Sequence, residues 1–248
     1  MEANSNRWLG PFFIAAAIVT TAVLFSGAWK KTHPTGDYMI SVTGSANQDF
    51  QSDLIVWSSF YTRTAPVMKD AYEQLQHDEG IVKAFITSKG VSDKDVVFSS
   101  VAIRRNYKKI YNKDGDEINQ EFQGFSLWQT VKIESHDIDK IEQVSREVTQ
   151  LIAQGVELNS QNPEYYYTKL ADLKIQMLAA ATADARTRAE KIAENAKATL
   201  GKLREASMGI FQITAQNSDE GFKSGGAYNT SSKMKTASVT LRAEFTVE

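Results

Sequence analysis

Carboxylates, histidines and three consecutive tyrosines are the side chains of this sequence that could support chemistry. Asp114, Asp116 and Glu117 crowd into the segment NKDGDE, where carboxylates could bind calcium or serve as the acid and base of a hydrolase. The segment lacks the length and ligand spacing of a calcium loop, and Asp114-Gly115 is typical of a tight hairpin turn. We therefore interpret it as a turn between two strands.

The other chemical signatures are missing from the sequence. His33, His77 and His136 are far apart, and none has a second ligand at the spacing of a metal site. There is no glycine-rich phosphate loop after a strand and no nucleophile elbow. The chain has no cysteine, which excludes disulfides, thiolate zinc sites and cysteine nucleophiles. We expect no catalytic residue, no metal and no cofactor.

Tyr165, Tyr166 and Tyr167 follow Pro163 in a segment that otherwise has the composition of a strand. Proline cannot donate to a ladder, so the strand is expected at a sheet edge or at a bulge. In a strand, two of the tyrosines share one face and the third takes the other, which favours core packing or contact with a second subunit. We predict an oligomer or ligand contact at these four residues. A concave apolar pocket beside them would instead indicate a carrier of a small ligand or lipid.

An uncharged segment precedes the elements that position these residues. Residues 10–29 contain no charge, and a helix of that length spans roughly 30 Å, the thickness of the hydrocarbon core of a bilayer. Trp8 and Trp29 flank the segment where interfacial aromatic residues are found, and Lys30 and Lys31 end it. The pattern predicts a transmembrane helix in contact with the lipid bilayer.

The predicted organisation follows from that helix. It comprises a tail over residues 1–9, the anchor over 10–29, a linker over 30–37 and one domain over 38–248. The alternative for the anchor is a signal peptide cleaved near Ser26-Gly27-Ala28, whose small residues have the usual spacing. The two alternatives predict an inner-membrane protein with a periplasmic domain and a free periplasmic protein, respectively.

The composition of the whole chain is that of a globular protein. Of its 248 residues 42% are hydrophobic and 23% charged, and the net charge of −2 lacks the basic surplus of a nucleic-acid binder. Beyond residue 37, strand and helix patterns alternate in the order ββαββαβαββ. The order predicts an α+β domain in which amphipathic helices cover antiparallel sheet. The loop GSANQDFQS is expected to join the first two strands.

A long helix near residues 169–200 carries an apolar stripe on one face. Its charged residues, including Asp184 and Arg188, fall outside the stripe, where exposed pairs contribute only a few tenths of a kcal/mol each. We therefore interpret the helix as a packing surface, not as a catalytic one. The stripe consists of Leu178, Ala181, Ala185, Ala189, Ile192, Ala196 and Leu200.

The order of these segments resembles the SIMPL-domain family, long described as a domain of unknown function. ISVTGSA at residues 40–46 resembles the family's opening, and LAAATADARTRAEKIAENAKATLGKL resembles its long helix. FSLWQTVKIES, the following helix and the alternating last strand come in the expected order. The chain departs from the family at Ser52-Asp53, where Pro-Asp is frequent, and in the aromatic segment 159–168.

The resemblance implies an envelope or exported bacterial protein without established enzymatic activity, associated with stress tolerance and in some members with ring assembly. We therefore expect a membrane-anchored homo-oligomer that acts as a scaffold or binding module and does not bind nucleic acid. A small-ligand or lipid carrier and a hydrolase are the alternatives.

Overall fold

The computed structural model describes residues 9–32 and 38–247, and its first element is the helix α1 over Leu9–Thr32. Crossing a bilayer takes about 20 apolar residues in a helix. Among the described residues no helix reaches the length and apolar character of a membrane span, so the transmembrane helix predicted over residues 10–29 is not found there. Trp8 lies outside the described residues, as do the side chains of Trp29, Lys30 and Lys31.

The chain forms two compact units, and each combines segments that are distant in sequence. Among the described residues, the first unit is drawn from Met1–Ser45, Ala179–Gly209 and Thr240–Glu248, and the second from Ala46–Leu178 and Ile210–Val239. Strand β1 over Tyr38–Gln51, helix α4 over Leu170–Asn195 and strand β10 over Met234–Val247 each contribute residues to both units.

The second unit is built on a six-stranded antiparallel sheet. The order is β3-β5-β2-β6, with β4 also paired to β5 and β7 also paired to β2. Burial alternates along most of β2: Ile55, Trp57, Ser59 and Tyr61 are buried, and the residues between them are half-buried. The strands are β2 at Leu54–Ala65, β3 at Val96–Phe98, β4 at Ala102–Tyr111, β5 at Glu117–Ser135, β6 at Leu158–Ser160 and β7 at Glu164–Tyr166.

Two amphipathic helices supply the rest of this unit's core. Helix α2 spans Met68–Ser88, and α3 spans Ile138–Glu147 and continues as a 3-10 helix over Val148–Gln154. The carboxylate of Asp137 accepts the amide of Lys140 at the start of α3, and Gly155 ends the 3-10 helix in the left-handed conformation. The shared cluster includes Trp57, Leu75, Val82, Ile86, Leu127, Ile133, Ile141, Val144 and Leu151.

In the first unit the alanine-rich half of α4 packs closely on β1. Ala181, Ala185 and Ala189 are fully buried, as the stripe predicted. A Cβ added at Gly44 would lie 2.2 Å from the carbonyl oxygen of Ala181 and 2.5 Å from the amide of Ala185. Only glycine therefore permits this approach. Strand β8, at Leu200–Met208, pairs with the end of β10, and the sheet order is β1-β10-β8.

The α+β class with antiparallel sheet is confirmed, but the predicted order of elements is wrong. Beyond α1 the order is ββαβββαββαβββ. The additional strands arise because three predicted strands are interrupted, near Ser99, at Asn162-Pro163 and at Gly209; strand β9, at Gln212–Ala215, follows the last interruption. The expected loop GSANQDFQS is also wrong: β1 continues to Gln51, and the chain turns at Ser52-Asp53.

Candidate functional site

Tyr165 is directed into the core of the second unit. In β7 it lies opposite Ile55 of β2, and its ring packs against the hydrophobic cluster. Its hydroxyl donates to Oε1 of Glu142 at 2.9 Å. Burial, together with this hydrogen bond, raises the pKa of Tyr165 to about 12. The residue is therefore a half-buried anchor of β7 and offers no nucleophile near neutral pH.

Tyr166 and Tyr167 belong to a half-buried aromatic group. The ring of Tyr167 lies 4.8 Å from Phe50, and the ring of Tyr166 lies 6.4 Å from Tyr228, measured between centroids. The hydroxyl of Tyr166 donates to Glu164 at 2.9 Å. These contacts join β1, β7 and the loop before β10, so they account for the two tyrosines by packing.

A loop of the same chain covers the edge of the sheet that the Pro163 segment forms. β6 and β7 are edge strands, as the proline predicts. The amide of Tyr165 donates to the carbonyl of Thr230 at 2.7 Å, which places the loop 217–232 along β7. The buried side chain of Gln212 holds that loop by accepting the amides of Lys223 and Ala227. This edge is therefore protected by the chain itself.

Lys235 is a fully buried lysine that the sequence analysis missed. Its Nζ donates to the carbonyl oxygen of Ser232. Burial lowers the pKa of Lys235 to about 8, and the charge of Glu220 opposes that shift. The alternation of β10 could have revealed it, because Lys235 shares its face with Ala237 and Val239.

A second buried charge links three elements. Asp78 of α2 is 1% exposed and accepts Nε of Arg63 at 2.5 Å and Nη2 at 2.7 Å. The same Nη2 donates to the carbonyl of Gly155 at 2.6 Å. Arg63 also lines an open depression with His77, which is exposed. The pair joins β2, α2 and the end of the 3-10 helix, so its contacts indicate a role in holding the fold together.

The carboxylates of NKDGDE form a turn, as predicted. The side-chain oxygen of Asn112 accepts the amides of Asp114 and Asp116, and Gly115 has a φ of 90°. Glu117 accepts Nζ of Lys109 at 2.6 Å, and that hydrogen bond lowers the pKa of Glu117. All three acids are exposed, and the carboxylate of Asp116 also accepts a hydrogen bond from Nδ2 of Asn112 at 3.2 Å. In the described part of the chain no cluster of residues is suited to hold a metal ion.

The turn closes a two-stranded ribbon, which we define as residues 102–124 of β4, the turn and the distal part of β5. Almost all of its side chains are exposed on both faces. At Gly124 the φ is 122°, and an added Cβ would lie 2.5 Å from the carbonyl oxygen of Ala65, so the ribbon leaves the sheet at a glycine. Its exposed large hydrophobic residues are Ile103, Tyr107, Ile110, Tyr111, Ile118 and Phe122.

The ribbon also has two open edges. Over residues 117–122, β5 pairs with β4, and the described residues form no other strand pairing there or along β4. The rings of Tyr107 and Phe122 lie 5.7 Å apart on one face. An isolated two-stranded ribbon is marginally stable at best, and exposed apolar strands with open edges are sites of strand addition. The ribbon is therefore the candidate interaction surface.

In the first unit, Asp184 makes a contact between α4 and β1 that the helical wheel did not predict. The wheel placed it on the solvent side, but its Oδ2 accepts the amide of Ser45 at 2.8 Å and Nε of Arg188 at 2.9 Å. The hydrogen bond from Ser45 is the main reason that the pKa of Asp184 is lowered. Asp184 thus joins α4 to the Gly44-Ser45 segment of β1.

The model of the family described as SIMPL, protein of unknown function (DUF541), matches residues 40–248. That range contains the Gly44-Ser45 segment, the alanine-rich half of α4 and the alternating last strand. A search among curated proteins finds no match.

Proposed function

The chain belongs to the SIMPL family, DUF541, and from that premise we propose that it is a non-enzymatic scaffold that works by self-association. The observation that carries the proposal is the ribbon, which combines six exposed large hydrophobic residues with two open strand edges. Such a surface is costly in water unless a partner covers it.

In this proposal the contact between subunits lies at the ribbon and not at the Pro163 segment. The tyrosines were expected to meet a second subunit or a ligand, but their hydroxyl and ring contacts are made within the chain. The loop 217–232 occupies the neighbouring edge. These contacts also give no support to the alternative of a small-ligand or lipid carrier at this place.

A hydrolase is the less supported alternative. It would need an acid and a base with opposed pKa values facing one cleft. The pKa of Glu117 is lowered by Lys109, that of Asp184 by Ser45, and these two carboxylates belong to different units. Neither arrangement supplies a general acid near neutral pH, so binding is the better-supported role.

The location of this scaffold is proposed on the sequence alone. We place the domain outside the cytoplasm, held by residues 10–29 in the inner membrane or released from them by cleavage. A reporter enzyme that is active only outside the cytoplasm, fused after Glu248, tests this location. An inactive reporter on a stably expressed fusion would contradict it.

Self-association is tested by sedimentation velocity on the full chain in mild detergent over a wide concentration range. We expect an oligomer that dissociates on dilution. Tyr107→Ser combined with Phe122→Ser should weaken it at least about a hundredfold, because two buried aromatic side chains contribute about 1.5–3 kcal/mol each.

The control is Ile175→Ser, which removes an apolar side chain from α4 that is more exposed than either ribbon residue, 68% against 49% for Tyr107 and 45% for Phe122. It should leave the oligomer unchanged. A wild-type chain that stays monomeric throughout, or a control that dissociates as readily as the ribbon variant, would overturn the assignment of the ribbon.

A further inference from the structure

We propose that copies of the chain associate head to tail, with the outer edge of β4 in one copy pairing with the outer edge of the distal β5 in the next. The inference deepens the proposed self-association and rests on it. It specifies the partner, a second copy of this chain, and the two different surfaces that meet.

The backbone defines which groups are available at each edge. The amide of Asn112 donates to the carbonyl of Asp116 at 2.9 Å, so Asn112 points its backbone groups into the ribbon. Alternation then points those of Arg105 and Lys109 outward along β4. On the distal β5, Asn119 and Glu121 lie opposite inward residues of β4, so Gln120 points outward.

Outside the ribbon, other hydrogen bonds show toward which edge the backbone groups of β5 point. The amide of Ser99 donates to the carbonyl of Thr130, which directs even-numbered residues of β5 toward the side of β3 and β4. Odd-numbered residues from Phe125 onward face β2, with which they pair. The change of phase occurs at the bulge between Phe122 and Gly124.

Charge selects which edges can meet. β4, with the sequence AIRRNYKKIY, carries four cationic residues and no acid. The distal β5, EINQEFQG at residues 117–124, carries two acids and no cation. Like charges directly opposite one another across a strand pair are destabilising, and unlike charges are stabilising.

A symmetric contact is therefore disfavoured at both edges. Pairing β4 with its copy would bring Arg104 and Arg105 near Lys108 and Lys109 of the second chain. Pairing the distal β5 with its copy would bring Glu117 near Glu121. Only the contact of β4 with the distal β5 places cations opposite acids while covering both open edges.

This geometry determines the kind of assembly. A contact that uses a different surface on each partner leaves one free surface of each kind at the two ends. Growth continues until the rotation closes a ring, or proceeds as a filament. Each addition also converts a two-stranded ribbon into a wider sheet, which is more stable than an isolated pair.

Proline substitutions can block one edge at a time. Proline is tolerated in an edge strand where its missing N–H faces solvent, so Arg105→Pro and Gln120→Pro should each preserve the variant's own ribbon. Each removes one outward donor and places a ring where the next strand would lie. Arg105→Ala and Gln120→Ala are the matched controls, because they remove the same side chains without blocking the edge.

The full-length variants are compared by sedimentation velocity, alone and mixed, with thermal melting to confirm that each is folded. We expect both alanine controls to assemble, Arg105→Ala more weakly than the wild type because it lacks one of the four cations of β4, and each proline variant to be monomeric. Mixed together, Arg105→Pro and Gln120→Pro should form a one-to-one heterodimer that grows no further, because each contributes the edge that the other has lost. Wild-type assembly should weaken as salt is raised.

Each contrary result has a distinct meaning. If Gln120→Pro alone still dimerises, the contact is symmetric through β4; if Arg105→Pro alone still dimerises, it is symmetric through β5. Both results overturn the head-to-tail arrangement while leaving self-association intact. A mixture of folded variants that stays monomeric overturns it as well. A monomeric wild type, including one that binds vesicles of anionic lipid through the ribbon, overturns the proposed function itself.

Discussion

Replacing Lys235 with methionine isolates the cost of a cation that is fully buried in the second unit. Burial lowers the pKa of Lys235 from 10.5 to about 8. Each pH unit of difference between the folded and unfolded pKa corresponds to about 1.4 kcal/mol. The charged lysine should therefore destabilise the folded state by about 3 kcal/mol relative to its neutral form.

The sign of the pH dependence follows from proton binding. Below about pH 8 the lysine is protonated in both the folded and unfolded states, and the full penalty is present. Between about pH 8 and 10.5 the unfolded chain binds a proton that the folded chain has lost, so stability rises with pH. Across this window the wild type should gain about 3 kcal/mol relative to Lys235→Met.

The assay is urea denaturation of both proteins at a series of pH values, read as the difference in free energy of unfolding. This difference removes the titration of all other groups and any constant effect of losing the bond to Ser232. Lys233→Met is the control of opposite sign, because the hydrogen bond to Asp139 raises the pKa of Lys233. That lysine's stabilising effect is present at lower pH and is lost as pH rises through its raised pKa. Parallel curves for the wild type and Lys235→Met would refute the reasoning.

Three further substitutions test contacts of the fold by the same denaturation assay. Gly44→Ala should cost at least about 2 kcal/mol because its Cβ meets the backbone of α4, whereas Gly80→Ala, with open space around it, should stabilise α2 by up to about 1 kcal/mol. Asp78→Asn should cost about 2–3 kcal/mol, since it removes the carboxylate that pairs with the partly exposed Arg63, and equal stability would contradict that pairing. Tyr165→Phe should lower the free energy of unfolding by about 1 kcal/mol because it loses the hydrogen bond to Glu142. An unchanged free energy of unfolding would show that this hydrogen bond does not stabilise the fold.

Local periodicity predicted the elements whose own residues determine them. The last strand alternates in burial from Lys235 to Phe245, and α2 ends two residues before Gly90, as the pattern indicated. In α4 the predicted stripe is correct at Ala181, Ala185 and Ala189 and wrong at both ends. Leu178 is exposed, and Met177 is buried in its place. Ala193 is buried where Ile192 was expected, because the buried row advances by four residues at each step and the helix ends at Asn195.

Strand β1 shows where local preference is overridden by tertiary contacts. Gly44, Ser45, Asn47 and Asp49 have the composition of a turn, since such residues are depleted in strands. In the structure Gly44 is required by the close approach of α4, and Asp49 accepts the hydroxyl of Thr236 at 2.5 Å. Neither partner is near in sequence, so no window around the segment could have predicted a strand.

The ribbon could be predicted as a hairpin but not as a surface. Tyr107, Ile110 and Phe122 have the same residue types as buried core strands, and a sequence pattern does not state whether a second layer covers them. The structure shows that α2 and α3 cover the part of the sheet outside the ribbon, while the large apolar side chains of the ribbon itself are exposed. Residues suited to a core but left in water must be offset by a gain elsewhere. A second copy that supplies the missing strand accounts for both the side chains and the open edges, which neither turn chemistry nor core packing explains.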